Sequence, residues 1–185
     1  ICDSARGQAE HGGLSAFGQE VVREMNALGM MIDMSHAAES SFYDALALSQ
    51  VPIVCSHSSS RALCSHPRNL TDEQMKALAA QGGVAQVTLY HGFLRHEGEA
   101  TVLDALDHLH HMVQVMGPEH VGIGTDFDGD GGVRGLKDAS QLIGFTRQLL
   151  RRRYSESDLQ GIWGGNFLRV MRQVQSSATS HLGLP

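Results

Sequence analysis

Short apolar runs alternate with helical stretches along the whole of this chain, and that alternation restricts the folds open to it. Met30 to Met34, Ile53 to Ser56 behind Pro52, Val84 to Leu89 and Val121 to Thr125 each read as a buried strand. Between and around them lie helices. Ala16 to Ala27 carries Phe17, Val21, Val22 and Met25 at helical spacing, with Leu28 next and Gly29 closing it. Ala38 to Leu48 is a second helix. Thr71 and Gln74 form a capping box at the head of a third, which runs to Gln81 before Gly82-Gly83. A polar loop is expected from Tyr90 to Glu99, then a helix from Thr101 to Met116 ended by Gly117-Pro118. Gly129 to Gly135 reads as a long glycine-rich loop, followed by helices Leu136 to Arg152 and Ser155 to Val174.

Strand, loop and helix in four repeats imply right-handed crossovers and a parallel sheet. The fold class is therefore α/β, built of parallel (β/α) units. A closed (β/α)8 barrel needs eight units and about 250 residues. Four units in 185 residues make either a small open sheet or half a barrel. A half-barrel leaves two outer strands with unpaired backbone groups. A second chain, a second copy or residues beyond this sequence should close it. The chain begins on Ile1, which fits a piece of something longer. One domain is expected over 1–175, with a flexible tail at 176–185.

Hydrophobic residues make up 42% and charged residues 18%, the balance of a soluble globular domain. No apolar run is long enough to span a bilayer, and the first ten residues lack the pattern of a signal peptide. The net charge is −6, from 14 basic and 20 acidic residues, so nucleic acid is not an expected partner. The one basic run, Arg151-Arg152-Arg153, reads as the solvated end of a helix. Three cysteines without a CxxC spacing point to a reducing compartment, hence a cytoplasmic location. Cys55 falls inside a strand and reads as a small buried hydrophobe.

Two strand runs end in the same way, at Ser35-His36 and at Ser56-His57, 21 residues apart. A third run, Val121 to Thr125, ends on Asp126. Parallel strands place their carboxyl ends on one rim, so two imidazoles and a carboxylate would converge there, as in zinc sites. Two histidines alone hold zinc weakly. Further ligands must come from Asp126 or from outside this segment. A mononuclear two-His-one-carboxylate site with Asp126 is a further arrangement, of the kind iron oxygenases use. Ser58-Ser59-Ser60 looks like a loop that fixes the His57 ring.

Arg68, in the loop after His57, is suited to bidentate capture of a substrate carboxylate. From spacing alone, a surface arginine is an equally good reading. Asp128 reads as a turn residue. The series Asp126, Asp128, Asp130 fails as a calcium loop, because Lys137 stands where that loop needs glutamate. His108, His110 and His111 fall on a helix and read as surface residues. No Gly-x-Ser-x-Gly elbow, P-loop or GxGxxG turn is present.

Several ordered motifs together carry a family resemblance. Gly13-Leu14-Ser15-Ala16-Phe17-Gly18 leads into Ile32-Asp33-Met34-Ser35-His36. Val54-Cys55-Ser56-His57-Ser58-Ser59 leads into His66-Pro67-Arg68-Asn69-Leu70. Gly122-Ile123-Gly124-Thr125-Asp126-Phe127-Asp128-Gly129 follows, and Gly165-Asn166-Phe167-Leu168-Arg169-Val170 comes near the end. From about Gly12 to Val174 the chain resembles the membrane (renal) dipeptidase family of zinc peptidases.

That resemblance implies a metal-dependent (β/α)8 TIM-type barrel with two zinc ions that cleaves dipeptides. By position, His36 and His57 resemble the two histidines of the second zinc. Arg68 resembles the arginine that grips the C-terminal carboxylate of the dipeptide. Asp126 resembles the substrate-site aspartate that transfers protons beside the metal-bound water. The family's His-x-Asp pair, bridging glutamate and carbonyl-contacting histidine have no counterpart here, so the chain resembles the C-terminal half of the barrel. Two expectations follow. The chain is part of a zinc dipeptidase completed by a homodimer partner or by a missing N-terminal half, or it is a catalytically inactive truncated fragment.

Overall fold

The computed structural model describes residues 1–178. Three strands, β1 (Val54–Cys55), β2 (Val84–Val87) and β3 (Val121–Ile123), form one parallel sheet in the order β1-β2-β3. Val54 pairs with Val84, and Ala85, Gln86 and Val87 pair with Val121, Gly122 and Ile123. Helices α1 (Ala16–Leu28), α2 (Glu39–Leu48), α3 (Asp72–Ala80) and α5 (Val102–Met116) alternate with the strands. A short α4 (His91–Leu94) precedes α5, and α6 (Leu142–Arg151), α7 (Glu156–Gln160) and α8 (Asn166–Ser176) follow β3. This is the parallel α/β arrangement that the sequence pattern implies.

The first expected strand is reduced to a single parallel bridge between Asp33 and Val54. The Met34 N–H donates to the Val54 carbonyl (2.8 Å) and the Val54 N–H to the Ile32 carbonyl (2.9 Å). The chain then turns away at once, because His36 takes a left-handed backbone with φ 76°. The segment still runs parallel beside β1 through that bridge, on the edge of the three-stranded sheet.

Helix ends follow their capping chemistry. Ser15 caps α1, and Gly29 closes it with φ 68°, a conformation glycine adopts without a Cβ penalty. Reciprocal capping boxes start α3 (Thr71 and Gln74), α5 (Thr101 and Asp104) and α7 (Ser155 and Asp158). The core forms where these helices lie on the sheet. Ala105, Leu106, Leu109 and Met112 of α5 are fully buried, as are Ile53, Val84, Ala85, Val87 and Val121. Each large side chain buried this way contributes about 1.5–3 kcal/mol. A smaller cluster of Val51, Val54, Val84, Val170 and Val174 fastens α8 to β1 and β2.

Four local expectations change. The polar loop after β2 contains α4, because Phe93 and Leu94 are apolar enough to be buried. The helix expected from Leu136 begins only at Leu142. Leu136 is instead buried in a bridged turn with Val133, and a 3-10 turn covers Ala139–Gln141. The last expected helix is two, α7 and α8, separated by a wide turn at Gly161–Gly165 in which Gly164 has φ 154°. Arg152 is not simply solvated, since it donates to the Leu106 carbonyl (3.1 Å) and pairs with Asp107. Ser176 ends α8, and the expected tail beyond residue 178 lies outside the described residues. Among the described residues, no helix is long and apolar enough to cross a membrane.

Candidate functional site

The two Ser-His phrases meet on the rim at the carboxyl ends of the strands. The Nε2 atoms of His36 and His57 lie 2.8 Å apart, with ring centroids at 4.9 Å and an interplanar angle of 61°. The serines in these phrases hold the arrangement. The Ser56 hydroxyl lies 2.7 Å from His57 Nδ1 and donates to Asp33 Oδ2. The Ser35 hydroxyl accepts the His57 N–H at 3.0 Å. Asp33 Oδ1 accepts the N–H groups of Ser35 and Ser56, both at 3.0 Å, and so ties one phrase to the other.

The expectation that Ser58, Ser59 and Ser60 fix the His57 ring is corrected. Their contacts go elsewhere, because the loop turns back beneath the rim. The Ser58 N–H donates to the Gln86 carbonyl (2.8 Å) and the Ser60 N–H to His108 Nδ1 (3.0 Å).

Asp126 follows β3 on the same rim. Its backbone is left-handed (φ 57°), and its carbonyl accepts the N–H groups of Gly129 (2.9 Å) and Gly131 (2.7 Å). His36 and Asp126 are two of the four non-glycine residues with positive φ among the described residues, a conformation that costs energy and collects at functional sites. A Cβ at Gly124 would sit 1.7 Å from the Ser56 carbonyl oxygen, so the chain leaving β3 presses directly on the end of β1.

Burial is the main cause that lowers the proton affinity of His36 below the ordinary histidine value. The charge of Arg68 and the ring of His57 add to it, against Asp126 and Asp33. This direction favours the neutral ring, the form that binds a metal.

Arg68 is only 4% exposed. Its guanidinium lies over the Phe93 ring, 5.2 Å from the centroid. One Nη2–H reaches the His57 carbonyl at 3.4 Å, while the buried Nε has no partner. The surface-arginine reading is thus set aside. Burial lowers its proton affinity, and Asp126 is among the charges that oppose that shift. A buried guanidinium with an unpartnered Nε–H and one long hydrogen bond is equipped to take a carboxylate.

Asn69 organises the loop that carries Arg68. Its Nδ2 donates to the carbonyls of Cys64 (2.8 Å) and Phe93 (2.7 Å), and its Oδ1 accepts the Ser59 N–H (3.3 Å). Sequence reasoning does not single it out, since an asparagine in a polar loop reads as an ordinary turn residue. Asn69→Ala strips the Ser59 N–H and the Phe93 carbonyl of this amide, while the Cys64 carbonyl keeps the His66 N–H (2.8 Å), and the change is expected to cost about 3 kcal/mol. Thermal unfolding should then fall by roughly 6–12 °C in a chain of this size.

His108 also departs from its surface reading. It is 1% exposed, accepts from the Ser60 N–H through Nδ1 and donates from Nε2 to the Leu94 carbonyl (3.1 Å). It faces inward because the loop after β1 and the end of α4 both present backbone groups that need partners. His110 and His111 are half-buried, bonded to the Tyr154 hydroxyl (2.9 Å) and to Asp72 (2.8 Å).

Burial, the largest cause, lowers the proton affinity of His108 below the usual 6.5, despite the Leu94 carbonyl and the Asp104 carboxylate. Well above pH 6.5 neither state carries this proton. Below it the unfolded chain takes up the proton first, so stability falls as pH drops, by up to about 1.4 kcal/mol per pH unit for one ring. Urea midpoints should decline from pH 7.5 to pH 5, and His108→Gln should flatten that decline.

The donors here suit part of a zinc site: two imidazoles, nitrogen toward nitrogen, with one far nitrogen held by a hydroxyl. Among the described residues, no three His, Cys, Asp or Glu side chains gather closely enough to hold a metal ion. Asp126 therefore does not complete a two-His-one-carboxylate set. It stays near enough to influence His36 and Arg68 by charge.

The family description "Membrane dipeptidase (Peptidase family M19)" matches residues 2–182. Dipeptidase 3 of Mus musculus is 42% identical over 172 residues, covering 92% of this chain and 35% of the mouse protein. Dipeptidase 3 of Homo sapiens is 43% identical over 164 residues, covering 88% of this chain and 34% of the human protein. The chain thus spans about a third of these relatives.

Among solved structures, the probable dipeptidase PvdM from Pseudomonas aeruginosa superposes with a TM-score of 0.92 at 30% identity, over 96% of this chain and 60% of that one. A metallo peptidase from Rhodobacter sphaeroides, liganded with a phosphinate mimic of the dipeptide L-Ala-D-Ala, superposes with a TM-score of 0.85 at 29% identity. That match covers 94% of this chain and 50% of the other. Parallel (β/α) units, a shared rim and a family match along nearly the whole sequence lead to one conclusion: this chain belongs to the membrane dipeptidase family, peptidase family M19, and supplies part of its TIM-type barrel.

Proposed function

We propose that this chain carries the second-zinc and substrate-carboxylate portion of a zinc-dependent dipeptidase site. The observation that supports this reading best is the convergence of His36 and His57 beside the under-partnered guanidinium of Arg68. His36 and His57 offer their Nε2 lone pairs to the cation. Zinc, when bound, supplies Lewis acidity toward the scissile carbonyl. Arg68 grips the C-terminal carboxylate of a dipeptide in a bidentate fork and fixes its register. A longer peptide has no carboxylate at that distance from the scissile bond, so the same contact sets the length of substrate. Asp126 orients the attacking water, accepts its proton and passes it to the leaving amine.

The remaining ligands come from a second copy of the chain or from a polypeptide that supplies the other half of the barrel. Cys2, Cys55 and Cys64 are unpaired, which fits a cytoplasmic protein.

The test is turnover of a simple dipeptide by the 185-residue chain with added zinc. Cleavage that stops with chelator and returns with zinc is the expected result. No cleavage at any zinc concentration removes the self-sufficient version. A second reading, a catalytically silent fragment, is favoured by one observation: among the described residues, no three candidate donors are drawn together. Calorimetry separates the two, because tight uptake of two zinc equivalents contradicts the silent reading.

A further inference from the structure

The two histidines are not equivalent, although their sequence phrases are. Both serines serve His57. Ser35 accepts its backbone N–H, and Ser56 meets its ring. His36 Nδ1 makes no hydrogen bond among the described residues, and its Nε2 meets only His57.

The proton positions follow from donor inventory. Asp33 Oδ1 already accepts two backbone N–H groups, which turns Oδ2 toward Ser56. A carboxylate only accepts, so the Ser56–Asp33 contact consumes the one proton of the Ser56 hydroxyl. The same oxygen, 2.7 Å from His57 Nδ1, must then accept, and Nδ1 carries the ring proton. A neutral imidazole has a single N–H, so His57 Nε2 is bare. A bare nitrogen 2.8 Å from His36 Nε2 needs a donor, and His36 therefore carries its proton on Nε2 in the metal-free chain.

We propose that Asp33 and Ser56 are positioning residues that lock His57 as the Nδ1–H tautomer, which makes it the pre-set ligand, while His36 must change tautomer to receive a divalent cation. The inference rests on the zinc reading above for its purpose, but not for its geometry. In the change at His36, the Nε2 proton leaves to solvent and Nδ1 takes one from solvent. The ring stays neutral and the count of protons is unchanged. The exposure of His36 lets that exchange occur. Loading then replaces the contact between the two rings, whereas the hydrogen bonds behind His57 persist.

The experiment uses the full chain with ¹⁵N-labelled histidine at a pH well above the ring titrations. Long-range ¹H–¹⁵N spectra distinguish Nδ1–H from Nε2–H, and His36→Gln and His57→Gln variants assign the signals. His57 is expected as Nδ1–H and His36 as Nε2–H, with zinc converting only His36. Ser56→Ala should lose the single His57 tautomer and weaken zinc binding about 10–100-fold, and Ser56→Thr should restore both. A wild-type His57 found as Nε2–H overturns the proposal, and that spectrum needs no variant to fold. An unchanged His57 tautomer in Ser56→Ala overturns it too, even if affinity falls. If the tautomers are as expected but zinc perturbs neither ring, the positioning pair stands and the zinc reading fails.

Discussion

His36→Ala and His57→Ala will each abolish zinc-dependent dipeptide turnover, by on the order of 10³-fold or more, in whatever assembly of this chain is active. Each substitution removes one of only two imidazoles that meet at the rim, and no third His, Cys, Asp or Glu side chain among the described residues is close enough to substitute. On the proposed roles, the loss should appear in kcat rather than in KM, since the Arg68 fork is left intact. Zinc titration should show the same two variants losing a binding step while their urea midpoints change little. Turnover within tenfold of the wild type in either variant would remove these histidines from the reaction.

Arg68→Met will separate stability from binding. A buried guanidinium with an unpartnered Nε and a single long hydrogen bond is held at a cost to the fold. Methionine fills much of the same volume without charge, so the variant should be more stable to urea by about 1–2 kcal/mol. If Arg68 grips the dipeptide carboxylate as proposed, KM should rise about 100-fold with a smaller change in kcat. Arg68→Lys should not rescue binding, because an ammonium cannot supply the planar fork. A destabilised Arg68→Met chain with an unchanged KM would show that the guanidinium serves packing alone.

Much of this was legible in the sequence because parallel (β/α) units give a strict rule: whatever follows a strand lies on one rim. Ser35-His36, Ser56-His57 and Asp126 could be placed there from strand runs alone, and the rings of the first two do meet. What stayed hidden depends on tertiary neighbours. His108 looks like any polar residue on an amphipathic helix until the loop after β1 is seen to need its Nδ1. Asn69 reads as turn chemistry until three backbone groups from separate segments are found on its amide. Leu136 carries the signature of a helix start, yet burial in a bridged turn decides its place. Asp33 sits inside an apolar run, and nothing in that run reveals that its carboxylate reaches across to Ser56.

The missing side chain at Gly124 bears on how such a site can vary. Any larger residue there would act as a wedge between the ends of β1 and β3, prising the His57 segment from the one that leads to Asp126. The spacing of this pair therefore tolerates no side chain at that position, and a single absent methyl group keeps it constant.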